Sequence, residues 1–414
     1  EATRLLALFP TSAVVYCIKG ASQSGLRQFD SAMESFNKAL TINPNYANAY
    51  NNMGNALKAN GDLGAAIDHY DRAIKINPDY VTAYINRGSA FSDSGDFGRM
   101  SDSFKKAIDL APENSEAYFH YGLGLQRMGD IDAAANAFRR SSDLDPTSYL
   151  PLFYLHSTCY RNMNIDYESG IRCLNEAIQI TSTSGLVNFY LGLLLEYKGD
   201  NKEAEHYFKL IRKDSLDNRA YLDSWNWVKS FATEFPLLYW QKVDGFKYAF
   251  DSAENEGLIL EFGVASGTSI RALASMTDQE IHGFDSFLGL PENWMDMAQG
   301  TFNMNGEAPF APDHVKFHVG LFDQTLPSFL TANSGPIKFL NIDCDLYSAT
   351  KTVFELIESR IVSGTIIFFD EYLGYLGWRD HEFKAFQEAV KRNGWRYEYL
   401  AISFFRQQAV VKIL

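Results

Sequence analysis

Five carboxylates stand where this sequence passes from an apolar run into a loop. Glu261 lies in L-I-L-E-F-G, Asp285 in H-G-F-D-S-F and Asp343 in F-L-N-I-D-C-D-L-Y. Asp370 and Glu371 lie together in I-I-F-F-D-E-Y. If these runs are neighbouring parallel strands, about 4.8 Å apart, their carboxyl ends converge. Asp343, Asp370 and Glu371 then crowd one small patch. Crowded carboxylates need a counter-charge, or their pKa values rise. A hard divalent cation such as Mg²⁺ would supply it, with these three acids as metal ligands and water or substrate oxygens completing the shell. Asp285 follows Glu261 by 24 residues. That is the place where an acid accepts hydrogen bonds from the ribose hydroxyls of a nucleotide-type ligand.

The elements that must position these acids can be read from period and length. Short apolar runs at 258–263, 281–285, 315–319, 337–343 and 365–370 read as strands, and 395–403 with 408–414 as a final pair. Helical segments fill the gaps near 268–276, 324–332, 348–360 and 379–393. Such alternation predicts a mostly parallel α/β sheet with an antiparallel addition. Ligands of such sheets bind beyond the carboxyl ends of the strands, at the switch point.

The first turn, E-F-G-V-A-S-G-T-S from Glu261 to Ser269, departs from the dinucleotide fingerprint. Its small residues run G-x-A-x-G, and an acid precedes the first glycine by two. Both features resemble motif I of the class I S-adenosylmethionine-dependent methyltransferases, although Ala265 stands where Gly is commoner. The resemblance implies a Rossmann-like sheet flanked by helices, with the turn passing under the methionine part of the cofactor. Glu261 would face its ammonium group. Gly263, Ala265, Ser266, Gly267, Thr268 and Ser269 would form the turn, and Asp285 with Ser286 would hold the ribose. Gly320, Leu321 and Phe322, after the third strand, would border adenine.

Three further stretches make the resemblance narrower. G-F-D-S-F-L-G-L-P-E, G-L-F-D-Q-T-L-P and I-D-C-D-L-Y-S-A-T, in that order, are similar to the macrocin O-methyltransferase family over about residues 255–414. That family methylates sugar hydroxyls with S-adenosylmethionine and Mg²⁺. Glu371 departs from its pattern, which has Asp or Asn there. A metal-bound hydroxyl becomes more acidic, and a nearby base can take its proton. Asp343 would act through the metal. Asp345, His381 and Glu292 are candidates for the base or for substrate contact, and Tyr347 shares the loop of Asp345. Trp294 and Trp378 either stack on a sugar ring or pack in a core or lid.

The first half of the chain is organised differently. Pro10, Pro44, Pro78, Pro112 and Pro146 recur at a fixed step of 34 residues. Gly20, Gly54, Gly88 and Gly122 keep that step, as do Ala39, Ala73, Ala107 and Ser141. The period resembles the tetratricopeptide repeat, which implies an α-solenoid. Gly-Asp pairs at 61–62, 95–96, 129–130 and 199–200 predict turns in which Gly ends one helix and Asp caps the next. Six units are expected from Thr11, the fifth lengthened by two residues near N-M-N-I-D-Y-E-S. Residues 1–10 read as the tail of an earlier repeat, so the chain reads as part of a longer array. Asn52, Asn86 and His120 occupy equivalent first-helix positions and are the expected partner-binding residues. An amide offers both donor and acceptor to a peptide backbone. Peptide or protein binding and self-association both fit such a face.

The expected division is a repeat array at 1–214, an aromatic-rich helical junction at 215–250 and a methyltransferase domain at 251–414. The junction should hold two helices separated at Pro236. The formal charge of -14 is concentrated in the second half, and no basic stripe appears, which argues against nucleic-acid binding. Cys17, Cys159, Cys173 and Cys344 form no metal-binding spacing, so reduced thiols and a cytoplasmic location are expected. No apolar run reaches the roughly 18 residues of a membrane span, and no signal peptide is visible. The function expected is Mg²⁺-dependent O-methylation of a sugar or glycan-like hydroxyl, with repeats recruiting a partner or substrate. The alternatives are a peptide methyltransferase whose repeats capture the substrate chain, and a non-enzymatic adaptor.

Overall fold

The computed structural model describes residues 4–5, 8–211, 216–232, 234–254, 256–295 and 297–414. Parts of the expected 1–10 tail and residues 212–214 of the sixth unit lie outside the described residues. The chain divides into two compact units, Glu1–Thr158 and Cys159–Leu414.

The first unit is a run of antiparallel helices: α1 (Ala13–Gly25), α2 (Phe29–Ile42), α3 (Ala47–Ala59), α4 (Leu63–Ile76), α5 (Val81–Asp93), α6 (Phe97–Leu110), α7 (Ser115–Met128), α8 (Ile131–Leu144) and the shorter α9 (Leu150–Ser157). The turns form as the Gly-Asp pairs require. Gly61, Gly95 and Gly129 take left-handed φ. Asp62, Asp96 and Asp130 then accept the N3 amides of Ala65, Arg99 and Ala133 at 3.0–3.1 Å. Within each pair the repeat glycine meets an aromatic ring 16 residues on: Gly20 on Phe36, Gly54 on Tyr70, Gly88 on Phe104 and Gly122 on Phe138. A Cβ at any of the four would sit 2.5–2.9 Å from the ring.

First helices of successive repeats are tied by polar bonds. Asn52 Nδ2 donates to Cys17 Sγ (3.3 Å), and Asn86 Nδ2 to Asn51 Oδ1 (2.9 Å). Asp93 is shared by Lys58 (3.0 Å) and Arg127, one repeat to either side. The amides expected to face a partner are thus half-buried and bonded within the array.

The second unit opens with a two-residue hairpin, β1 (Tyr160–Arg161) and β2 (Asn164–Ile165). Asn162 and Met163 at its tip both have positive φ, the geometry of a tight hairpin turn. This is where the two extra residues were expected. Helices α10 (Tyr167–Ile180), α11 (Gly185–Lys198) and α12 (Asn201–Ile211) follow, with Gly192 against Phe208 repeating the 16-residue pairing. The junction holds α13 (Leu216–Phe231), β3 (Leu237–Leu238) and α14 (Lys242–Asp251). Trp225, Tyr239, Trp240 and Phe246 are buried, whereas Phe231 and Phe235 are exposed. Trp225 is fully buried and donates Nε1 to Glu196 of α11 (2.7 Å).

The sheet comprises β3 with β4 (Leu258–Phe262), β5 (Ile281–Asp285), β6 (Val315–Val319), β7 (Ile337–Ile342), β8 (Ile366–Phe369), β9 (Tyr397–Ser403) and β10 (Gln408–Ile413). Their lateral order is β3, β9, β10, β8, β7, β4, β5, β6. Strands β4 to β8 are parallel, and β10 runs antiparallel between β8 and β9. The connecting helices are α15 (Thr268–Ala274), α16 (Phe322–Ala332), α17 (Tyr347–Ile357) and α18 (Glu382–Asn393). After β6 the chain crosses back over β4 to enter β7, so the switch point falls at the carboxyl ends of β4 and β7. Among the described residues no helix is long and apolar enough to cross a membrane. Cys17, Cys159, Cys173 and Cys344 form no disulfide among the described residues.

Gly122→Ala tests the close approach. Alanine gains up to about 1 kcal/mol of helix propensity, but crowding a packed ring costs about 1–3 kcal/mol. A net loss of up to about 2 kcal/mol is expected in urea unfolding, partly recovered when Phe138→Leu makes room.

Candidate functional site

The register of β4, β7 and β8 decides where the acids meet. Asp343 N donates to Phe262 O, and Asp370 N to Ile342 O, both at 2.9 Å. The last residues of three adjacent strands therefore stop level. Above them opens a cavity of about 640 Å³, within the ordinary range for a small-molecule site. Its walls include Gly263, Val264 and Ala265 from the first turn, Asp285 and Ser286 after β5, and Gly320, Leu321 and Phe322 after β6. Asp343, Asp345, Asp370 and Glu371 line it from the other side, and Trp294, Met295 and Phe302 from the long β5–β6 connection.

The first turn is shaped by a carboxylate. Asp285 Oδ2 accepts the amides of Val264 and Ala265, each at 2.8 Å, and Oδ1 accepts that of Phe287 at 2.7 Å. A carboxylate offers about four lone-pair sites, so one remains open to the cavity. Gly263 cannot be replaced: a Cβ there would lie 1.7 Å from the Asp343 carbonyl oxygen. Ser266, Gly267, Thr268 and Ser269 do not line the cavity. Gly267 and Thr268 begin α15, and the Ser266 and Thr268 hydroxyls are 3.2 Å apart. Glu261 is fully buried below the cavity floor, also off its lining. Neither carboxylate oxygen makes a hydrogen bond of normal geometry among the described residues, although Asn341 stands beside it in register. Burial pushes its pKa up to about 8, against the opposing pull of Lys242 and Asn341. The open lone pair of Asp285, the glycine-only turn and the unpartnered buried acid fit a nucleoside ligand with a cationic end.

The acid patch has a cation of its own. Lys242, the first residue of α14, places Nζ 2.9 Å from Asp370 Oδ1 and 3.4 Å from Asp343 Oδ2. Burial opposes its charge, but Asp343 and Asp370 together hold its pKa above the ordinary lysine value. Gln408 Nε2 also donates to Asp370 Oδ1, and Gln408 Oε1 accepts the Tyr239 hydroxyl at 3.2 Å. Asp343 is pushed well above the usual carboxylate range by burial and by Asp370. Burial with Asp370 pushes Glu371 up to about 9, despite Lys242.

The expected metal ligands must be corrected on this point. Among the described residues, Asp343, Asp370 and Glu371 do not assemble into a group that could hold a metal ion. Two of the three acids turn toward an ammonium instead, and they do not fit Mg²⁺ in this arrangement.

Asp345 sits on the loop after β7 with a positive φ of 62°, an uncommon conformation for a residue with a side chain. Glu382, at the start of α18, supports it: Oε1 accepts the amides of Cys344 (3.1 Å) and Asp345 (3.2 Å). Burial and the nearby Asp370 push Asp345 up to about 7, against Lys242. The other base candidates stand off the cavity. The His381 ring packs on Trp294 and Tyr375, and burial lowers its pKa. Glu292 accepts the Ser348 hydroxyl at 2.5 Å, and Tyr347 donates to Glu388 at 2.8 Å. Trp378 is buried and bonded to Asp223, which makes it a packing residue, whereas Trp294 does form part of the cavity wall. In the repeats, His120 is 3.9 Å from Glu116.

Lys242, Gln408 and Glu382 are the site residues that sequence reasoning missed. The need for a counter-charge was legible, but nothing in L-L-Y-W-Q-K-V-D marks Lys242 as its source. Glu382 adjoins His381 in the sequence, and only its burial separates the two roles.

Glu261 gives a stability test. Its folded pKa of about 8 exceeds the unfolded value near 4.5, so its contribution is complete below pH 4.5 and lost as pH rises through 8. The slope in that window is about 1.4 kcal/mol per pH unit. Glu261→Gln removes the slope: relative to the parent, the variant should gain melting temperature steadily from pH 5 to pH 8.

Residues 260–372 match a family model described as "Methyltransferase domain". Residues 27–61 and 54–95 match a model described as "TPR repeat", and 81–114 and 115–148 one described as "Tetratricopeptide repeat". The chain therefore joins tetratricopeptide repeats to a methyltransferase domain, a domain class that typically uses S-adenosylmethionine. Similar solved structures include the APC/C hetero-tetramer Cut9-Hcn1, at 17% identity and TM-score 0.42, covering 54% of this chain and 44% of that one. Pseudomonas aeruginosa pilF matches at 18% identity and TM-score 0.42, over 51% and 96% of the two chains. MamA matches at 26% identity and TM-score 0.34, over 38% and 91%. This chain thus spans less than half the length of the first of them, and at these TM-scores none informs on its activity or partners. No curated protein matches the sequence.

Proposed function

We propose that the chain is an S-adenosylmethionine-dependent O-methyltransferase acting on a sugar or glycan-like hydroxyl, with its repeats recruiting a protein partner or substrate. The observation that carries this reading is one cavity that joins the Gly263 turn and Asp285 to Asp345. S-adenosylmethionine, when bound, supplies an electrophilic methyl group on sulfur. Asp285 would accept from the ribose, and the Gly263–Ala265 backbone would border the methionine part. Leu321 and Phe322 would flank the adenine, and the cationic end of the cofactor would lower the raised pKa of Glu261 and draw out its negative charge.

Asp345 is the base in this reading. Its carboxylate lines the cavity, and Glu382 fixes its peptide. Taking the acceptor's proton as the methyl arrives avoids an oxonium product. The apolar wall of Trp294, Met295 and Phe302 beside these acids suits a sugar, whose ring offers an apolar face and polar edges. A magnesium requirement, part of the macrocin-type expectation, is left out because Lys242 stands between Asp343 and Asp370. The peptide-capture alternative gains no support from Asn52 and Asn86, whose amides bond within the array.

The test is turnover of S-adenosylmethionine on a panel of nucleotide sugars, glycans and peptides. Methyl incorporation confined to peptides would sink the glycan assignment. Asp345→Asn should lower turnover about 10²–10⁴-fold and leave cofactor affinity within a few-fold. A base with a pKa near 7 must lose its proton to act, so the parent rate should rise from pH 6 to pH 8. Asp285→Ala should weaken cofactor binding by about 1.5–3 kcal/mol per lost charge-assisted bond. Calorimetry giving unchanged affinity in a folded Asp285→Ala variant would remove the ribose role.

A further inference from the structure

Lys242 belongs to none of the motifs of the catalytic sheet, yet packing delivers its ammonium to the ends of β7 and β8. Gly245, one turn along α14, lies against the Tyr239 ring so closely that a Cβ would sit 2.3 Å from it. Phe246 packs edge-on against Phe339 of β7 and Phe368 of β8, at 5.6 and 4.9 Å. Tyr239 in turn holds Gln408, and Gln408 holds Asp370. The first turn of α14 is thus keyed to the two strands whose acids Lys242 meets.

The oxygens it meets are those a metal would need. Mg²⁺ takes oxygen ligands at about 2.0–2.1 Å in near-octahedral geometry. An ion joining Asp343 to Asp370 through Asp370 Oδ1 would have to displace two N–H donors, Lys242 and Gln408. It would also sit beside a fixed ammonium, and like charges at such range repel strongly in a partly buried site. The lysine side chain is only 33% exposed, and the acids 23% and 17%, so solvent does little to screen that repulsion.

We propose that Lys242 is the resident counter-ion of the Asp343–Asp370 pair and takes the place of a divalent metal in this site. It acts as a positioning residue, holding the floor of the cavity while Asp345 faces the acceptor. The consequence, methyl transfer without a metal, rests on the methyltransferase reading; the charge replacement itself can be read without turnover.

The probe is Mn²⁺ titrated into the full chain and followed by electron paramagnetic resonance, with Mg²⁺ as competitor. The parent and Lys242→Arg should show no stoichiometric site. Lys242→Met should gain one Mn²⁺ per chain, at least tenfold tighter than any binding to the parent. Mg²⁺ should displace it, and adding Asp370→Asn should abolish it. Lys242→Gln serves as the neutral variant if the methionine variant does not fold. A Mg²⁺-displaceable Mn²⁺ site in the parent that Asp343→Asn removes would overturn the proposal. A folded neutral variant that gains no site would overturn it too. Calorimetry of S-adenosylmethionine on the same parent sample keeps the two readings apart. If the cofactor does not bind, the proposed function fails while the Mn²⁺ result still judges Lys242.

Discussion

Negative charge gathered at the ends of adjacent parallel strands is the constraint around which the catalytic half is built. β4, β7 and β8 stop level because their last amides bond to neighbouring strands. β8 is wholly apolar and β7 ends in a buried run, so Asp343 and Asp370 sit at the edge of a dry core, while Glu261 lies inside β4. In that setting a carboxylate must find a cation, find amide donors or stay protonated. All three outcomes occur here. Asp370 and Asp343 meet Lys242, Asp285 collects three amides, and Glu261 and Glu371 are pushed toward their neutral forms.

The same constraint explains the loop conformations. Asp285 pulls the amides of Val264 and Ala265 onto itself, which bends the first turn and holds Ala265 at positive φ. Glu382 does the equivalent for the loop after β7, where Asp345 is held at positive φ. Strained backbone of this kind persists only where its surroundings over-determine it. Here one carboxylate from a different element, half-buried Asp285 or buried Glu382, fixes each strained peptide.

The repeats solve a different problem by steric means. A glycine in the first helix of a pair receives the ring of an aromatic 16 residues later, so two helices approach closely without a void. Polar side chains such as Asn52, Asn86 and Asp93 then tie each repeat to the next. Stability in such an array is shared between pairs and their neighbours. That leaves these amides as structural ties, a role that a repeat position alone does not distinguish from partner binding.

The sequence by itself determined everything with a short period. The 34-residue step placed the helix pairs, and the alternation of apolar runs with helical segments placed the strands of the α/β sheet. The G-x-A-x-G turn and the acids at 285, 343 and 370 marked the cavity, because local chemistry at a strand end is written in adjacent residues. What the acids face was decided only by the tertiary structure. Lys242 precedes Asp343 by 101 positions and Asp370 by 128, and it arrives through the packing of Gly245 and Phe246, not through any motif. Glu382 and Gln408 reach the site in the same way. A carboxylate's need for a partner can be read from its position, but the partner's identity depends on side chains that long-range packing brings within about 3 Å.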